Sequence, residues 1–215
     1  SSDLLDEPAN HQDYWALRYF GAAFHEGVAK APGRSKLVFR ADISRPQWQR
    51  DSMDGLLDYA VVGGAMRTYP RIVFDRKEAE GQVVIEYAGT NKIEEANVQP
   101  AGWCVDAWAR GADGVEPWQT VGNADSWCKA DELSLFYPAA PASGGTGPVP
   151  SIRLKSYRRG QQDVEYLALL GRLSGEPRWA TGQRVLMQLR QTGEKQGSGF
   201  TGGEDAGIKI GRAHV

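Results

Sequence analysis

Cysteine is scarce in this chain. Cys104 and Cys128 are the two, and histidine adds only His11, His25 and His214. Neither type falls at the spacing of a metal or redox motif, so no metal ligands and no cofactor are expected. The cysteines would pair in an exported protein, or stand as two reduced, buried thiols. A charge excess is absent too: 25 Lys and Arg oppose 27 Asp and Glu, a net charge of −2. That gives no electrostatic case for nucleic acid or an anionic membrane surface. No apolar run is long enough to span a bilayer.

What the chain does have is aromatic weight, with seven Trp and eight Tyr. Such residues suit sugar-stacking walls, although each one by itself is more often core. It also has an unusual acid pair. Leu4-Leu5-Asp6-Glu7-Pro8 reads as an apolar strand that ends in two adjacent carboxylates and a proline. Paired acids are the equipment of glycoside hydrolysis, and strand ends are where an α/β barrel keeps its catalytic residues. The competing reading is a helix N-terminus, where acids and proline are also at home.

Strand and helix signals alternate along the chain. Helical spacing runs from Asn10 to Ala31 (Tyr14, Leu17, Phe20, Phe24, Val28), with Pro32-Gly33 as a stop. Lys36 to Ala41 reads as a strand ending at Asp42, and Asp58 to Val62 as another, closed by Gly63-Gly64. Tyr69 to Glu80 is helical up to Gly81, Gln82 to Tyr87 is a strand, and Pro100 to Arg110 is a helix. Val115 to Trp118 is the next strand. A repeat of about thirty residues is that of βα units on a parallel sheet. No strand leads into a Gly-x-Gly-x-x-Gly or a phosphate loop, which disfavours a nucleotide-binding doubly wound sheet. Asn123 to Pro150 reads as a long loop, flexible over Pro141 to Pro150. Ser151 caps a helix to about Leu170, and helix resumes around Gln183 to Gln191.

One string is distinctive: Pro150-Ser151-Ile152-Arg153-Leu154-Lys155-Ser156-Tyr157-Arg158-Arg159-Gly160-Gln161-Gln162-Asp163-Val164-Glu165-Tyr166-Leu167. It resembles the C-terminal signature of glycoside-hydrolase-like proteins that carry domain of unknown function 4091, a group related to glycoside hydrolase family 123, the β-N-acetylgalactosaminidases. Phe136-Tyr137-Pro138, Ala112-Asp113-Gly114-Val115 and Pro117-Trp118 are similar to that family's last barrel repeat, and Asp6-Glu7-Pro8 to its catalytic pair. The sequence departs from the family pattern at Arg159, Gln162 and Val164, and keeps Asp163, Glu165 and Tyr166.

The resemblance implies an α/β fold: the second half of a (β/α)8 barrel of the TIM type over 1–150, and a C-terminal helical segment over 151–192 that completes it. A disordered tail is expected over 193–215, with 209–215 read as sequencing-adapter read-through and set aside. The implied function is a bacterial glycoside hydrolase, secreted or periplasmic, acting on a carbohydrate substrate. Its partner would be the missing N-terminal half of its own barrel. With an N-acetylhexosaminide, Glu7 is the general acid/base, with a pKa raised by burial. Asp6 orients the substrate's own acetamido group as nucleophile. For a sugar without that group, Asp42 or Glu86 at strand ends is the candidate nucleophile. Asn10, Asp42, Tyr87, Trp118 and Trp127 are the candidate substrate contacts. His11 is as readily a first-turn helix residue. Arg40 is a candidate ion-pair partner for an acid, and Arg153 and Arg158 are expected to tie the last helix to the loop. The alternative is a non-catalytic carbohydrate-binding protein on the same barrel, since fold does not guarantee activity.

Overall fold

A computed structural model of the chain describes residues 7–33, 36–43, 45–89, 96–122, 126, 134–137 and 146–195. The strand expected to end at Asp6, along with Trp127, Cys128 and the tail beyond Lys195, lies outside them. The fold is mixed α/β. Its elements divide between two compact units, residues 1–88 with 112–116, and residues 89–111 with 117–215.

The first unit opens with α1, His11–Lys30. Asn10 caps it, accepting from the Asp13 backbone N–H at 3.1 Å, while Asp13 accepts from the Ala9 N–H at 2.8 Å. This reciprocal arrangement satisfies backbone donors that a helix start leaves unpaired. Then come β1 (Arg40–Asp42), the short α2 (Pro46–Gln49), β2 (Tyr59–Val62), the short α3 (Ala65–Thr68), α4 (Pro70–Glu80) and β3 (Val83–Gly89). Gly81 ends α4 at φ 68°, a left-handed conformation that glycine adopts without a Cβ penalty. After α5 (Gln99–Arg110) in the second unit, the chain returns as β4 (Gly114–Trp118). The sheet order is β1-β2-β3-β4, and the β1–β2 and β2–β3 pairs are parallel.

The first strand is shorter than the apolar run Leu37-Val38-Phe39 predicts. Leu37 and Val38 are exposed, and Asp58 marks where pairing starts. Its carboxylate accepts the Phe39 N–H at 2.8 Å, so a side chain takes the place of a ladder bond there. Strand geometry begins one residue later, at Arg40.

In the second unit, α5 lies against α6 (Ile152–Ser174) and α7 (Arg178–Lys195). Ser151 caps α6 as expected, accepting from the Leu154 N–H. The helix passes through Gly171 instead of ending near Leu170, and stops at Gly175 with φ 68°. Gly171 serves close approach: a Cβ there would sit 3.0 Å from Thr181 Oγ1. α7 likewise runs through 193–195, where a disordered tail is expected from the sequence. Part of the expected long loop also has structure. β5 (Phe136–Tyr137) pairs antiparallel with β6 (Val149–Pro150). Arg153 is buried and donates to Ser134 O at 3.0 Å, tying α6 to this segment, whereas Arg158 is exposed. Cys104, on α5, is a buried free thiol. Among the described residues no helix is long and apolar enough to cross a membrane.

Two glycines give predictions of opposite sign. A methyl group at Gly160 would sit 2.7 Å from Ala101 Cα, whereas one at Gly27 in α1 meets nothing within 4 Å. Gly160→Ala is therefore expected to cost about 1–3 kcal/mol through overpacking. Gly27→Ala should gain about 0.5–1 kcal/mol from helix propensity alone. Urea denaturation of the two variants checks both signs. Burial pushes the Cys104 thiol up to about 11. Iodoacetamide at pH 8 should thus leave it unmodified in the folded protein and label it in denaturant, read by peptide mass spectrometry. Rapid labelling of the native protein would contradict that burial.

Candidate functional site

Strand register decides which side chains can meet. Arg40 pairs with Tyr59 and Tyr59 with Val83; Asp42 pairs with Val61 and Val61 with Ile85. Directly paired residues share a face, and neighbours along a strand alternate. One face therefore carries Arg40, Asp42, Tyr59, Val61, Ile85 and Tyr87. The other carries Ala41, Ala60, Val62, Val84 and Glu86. On β4, a Cβ at Gly114 would sit 3.0 Å from the Ile85 side chain, so Glu116, two residues on, belongs to the first face.

There the charges come together. Arg40 Nη2 donates to Glu116 Oε1 at 2.8 Å and to Asp42 Oδ1 at 3.2 Å. Both carboxylates accept from one nitrogen, so the two oxygens lie no further than about 6 Å apart. Asp42 is the last residue of β1 and Glu116 the third of β4. The three side chains keep 47%, 32% and 39% of their surface for Arg40, Asp42 and Glu116, so a solute can reach them. Tyr59 stands beside Arg40 in the sheet. Its phenol pKa is raised, first by burial and then by the Glu116 charge. It is a neutral hydroxyl at physiological pH.

Glu86 is different. It is buried on the opposite face and accepts from Arg67 Nε, on α3, at 3.1 Å. Of the two carboxylates expected as alternative nucleophiles, only Asp42 faces the open cluster.

The acid pair is described only through Glu7, since Asp6 lies outside the described residues. Glu7 is exposed, so the burial expected around a proton donor is not supplied by its described neighbours. Its backbone is notable: φ is 44°, left-handed for a non-glycine residue that directly precedes proline, and Pro8 itself is buried. The residue before proline normally avoids helical conformations, and a left-handed one costs an L-residue roughly 1–2 kcal/mol. Asn10 uses its side chain to cap α1. His11, at the first turn of α1, packs edge-on against Trp48 with ring centroids 5.0 Å apart. Neither Glu7 nor Asn10 bonds the Arg40 cluster among the described residues.

Tyr87 is half-buried on the Asp42 face. Trp118 ends β4 with 49% of its surface exposed. It falls in the second unit, while Asp42 and Tyr87 fall in the first. Trp127 lies outside the described residues. Sequence reasoning missed Glu116 and Tyr59. For Glu116 the signal is the alternation in Gly114-Val115-Glu116-Pro117-Trp118. Tyr59 carries no such signal, because in an apolar strand it reads as one more core residue. No three His, Cys, Asp or Glu side chains gather as a metal site among the described residues.

No protein-family model matches the chain, and no curated protein matches it.

The buried ion pair carries a prediction. Truncating Arg67 removes a charged partner from the buried Glu86 carboxylate, and breaking a buried pair on one side typically costs about 3–5 kcal/mol. Arg67→Ala should lower the urea midpoint accordingly. Arg67→Met combined with Glu86→Leu should recover most of the loss. A neutral Arg67→Ala would show that the Glu86 charge does not depend on Arg67.

Proposed function

We propose that this protein hydrolyses glycosidic bonds, on one face of a parallel sheet that belongs to a (β/α)8 barrel. The observation that carries the reading is the gathering of Asp42, Glu116, Arg40, Tyr59 and Tyr87 on one face of that sheet. Acids for proton transfer and charge stabilisation, an arginine to hold them and aromatic rings are the parts that glycoside chemistry uses.

Two features support the barrel. The strands follow one another in sequence order with no reversal, whereas a doubly wound sheet turns back at a switch point. Arg40 and Glu116 also sit on the two outer strands. Strands stand about 4.8 Å apart, so a flat sheet would separate β1 from β4 by about 14 Å. A 2.8 Å bond across that width is natural in a sheet curled toward this face.

The resemblance assigns Glu7 as proton donor and Asp6 as the group that orients a substrate acetamido. The left-handed backbone at Glu7 supports a special role, because strain of this kind tends to collect at functional sites. Its exposure means that whatever buries it would come from outside the described residues.

A panel of aryl glycosides tests the reading, with Glu7→Gln alongside. Expected is turnover of N-acetylhexosaminides, reduced about 10²–10⁴-fold in kcat by Glu7→Gln, the usual reach of general acid–base catalysis. Turnover confined to sugars without the acetamido would replace Asp6 with a separate nucleophile. Binding of sugars without turnover of any would make this a carbohydrate-binding protein.

A further inference from the structure

We propose that α6 is a self-docking surface, on which the stripe from Tyr166 to Leu173 pairs antiparallel with the same stripe of a second copy of this chain and closes a two-fold dimer. The surface is separate from the glycoside chemistry and stands or falls without it.

α6 already has a buried side, carried by Arg153, Tyr157, Gly160 and Gly171. Gly160 meets Ala101 of α5 there, and Gly171 meets Thr181 of α7. At about 100° of rotation per residue, those positions share one direction, and Tyr166, Leu169, Leu170 and Leu173 share the opposite one. Their spacing of i, i+3, i+4 and i+7 is that of a core-facing stripe. Yet all four are exposed, Tyr166 at 72% and Leu173 at 79%. A surface helix is polar on the side away from its core, whereas contiguous apolar surface marks a site of interaction.

Charge says which partner fits. Glu165 and Arg172 are exposed and seven residues apart, so both lie on one flank of the stripe. Two helical turns, about 10 Å, keep them from pairing with each other. A two-fold axis between Leu169 and Leu170 sets Leu169 against the partner's Leu170, and Tyr166 against the partner's Leu173. It also sets Glu165 against the partner's Arg172. Each contact then occurs twice, as an isologous interface requires. A parallel pairing would instead oppose Glu165 to the partner's Glu165. One turn before the stripe, Arg159 bonds Asp163 of its own helix at 2.9 Å, which gives the patch a polar limit. Four apolar residues a side make a small interface. The dimer therefore belongs to the weak, reversible class, with a dissociation constant on the order of 10 μM.

Sedimentation equilibrium of the full chain, from about 1 to 200 μM, tests the pairing, with a circular dichroism melt of each variant to confirm folding. The wild type should pass from monomer to dimer and no further, because a two-fold contact closes. Leu173→Ala, at an exposed position, should weaken association about tenfold. Where that variant fails to fold, Tyr166→Ala removes the other half of the same contact. Glu165→Arg and Arg172→Glu should each weaken association about tenfold by opposing like charges. An equimolar mixture of those two should recover wild-type affinity, since each then meets the opposite charge across the axis. A wild type that stays monomeric throughout overturns the self-pairing and leaves the stripe to a different partner. Association that grows beyond the dimer overturns it as well. A dimer indifferent to Leu173→Ala and Tyr166→Ala pairs through another surface, and one indifferent to both charge variants is not antiparallel here; either result sinks the pairing.

Discussion

Register in the parallel sheet rests on two aspartates that act in the same way. Asp58 precedes β2 and accepts the backbone N–H of Phe39, the residue before β1. Asp113 precedes β4 and accepts the N–H of Val84, while Lys77 holds its carboxylate. Each replaces a ladder bond at the start of a strand pair and so fixes where pairing begins. A slip of one residue would turn every side chain to the other face. With the observed register, Arg40, Asp42 and Glu116 meet, and Glu86 is sent to the opposite layer.

That sorting separates two acids with similar sequence settings. Asp42 and Glu86 both fall near the end of an apolar strand. On one face the carboxylate finds an arginine, an open surface and another acid. On the other it is buried against Arg67, and the pair is costly to break. The same kind of side chain is thus solvent-accessible in one place and buried in the other.

The second unit is held by contact distance. α5 supplies Ala101, Cys104 and Ala109 to its neighbours, and glycines on α6 and α7 meet them at positions where a methyl group would overlap backbone. Interiors pack to crystal-like density, so such approaches leave little tolerance for added volume. Aromatic and cationic contacts finish the unit: Trp103 lies edge-on to Tyr157, and Arg178 stacks over Trp108 while donating to its carbonyl.

Local chemistry made much of this legible in advance. Asn10 and Ser151 announce helix starts, Gly81 a helix stop, and the apolar runs before Gly63 and Gly89 mark strands, because capping, left-handed turns and periodicity act within a few residues. The reading faltered where a distant group intervened. Gly171 has the position of a helix end, yet it is a contact point for Thr181. Leu37-Val38-Phe39 has the composition of a strand, but Leu37 and Val38 are exposed and Asp58 marks where pairing starts. By itself, then, the sequence determined the alternation of βα units and the supply of acids near strand ends. Only the tertiary structure decided that Asp42 joins Glu116 through Arg40 while Glu86 turns away, because face and partner depend on strand register and on how far the sheet curls, and neither is a local property of the chain.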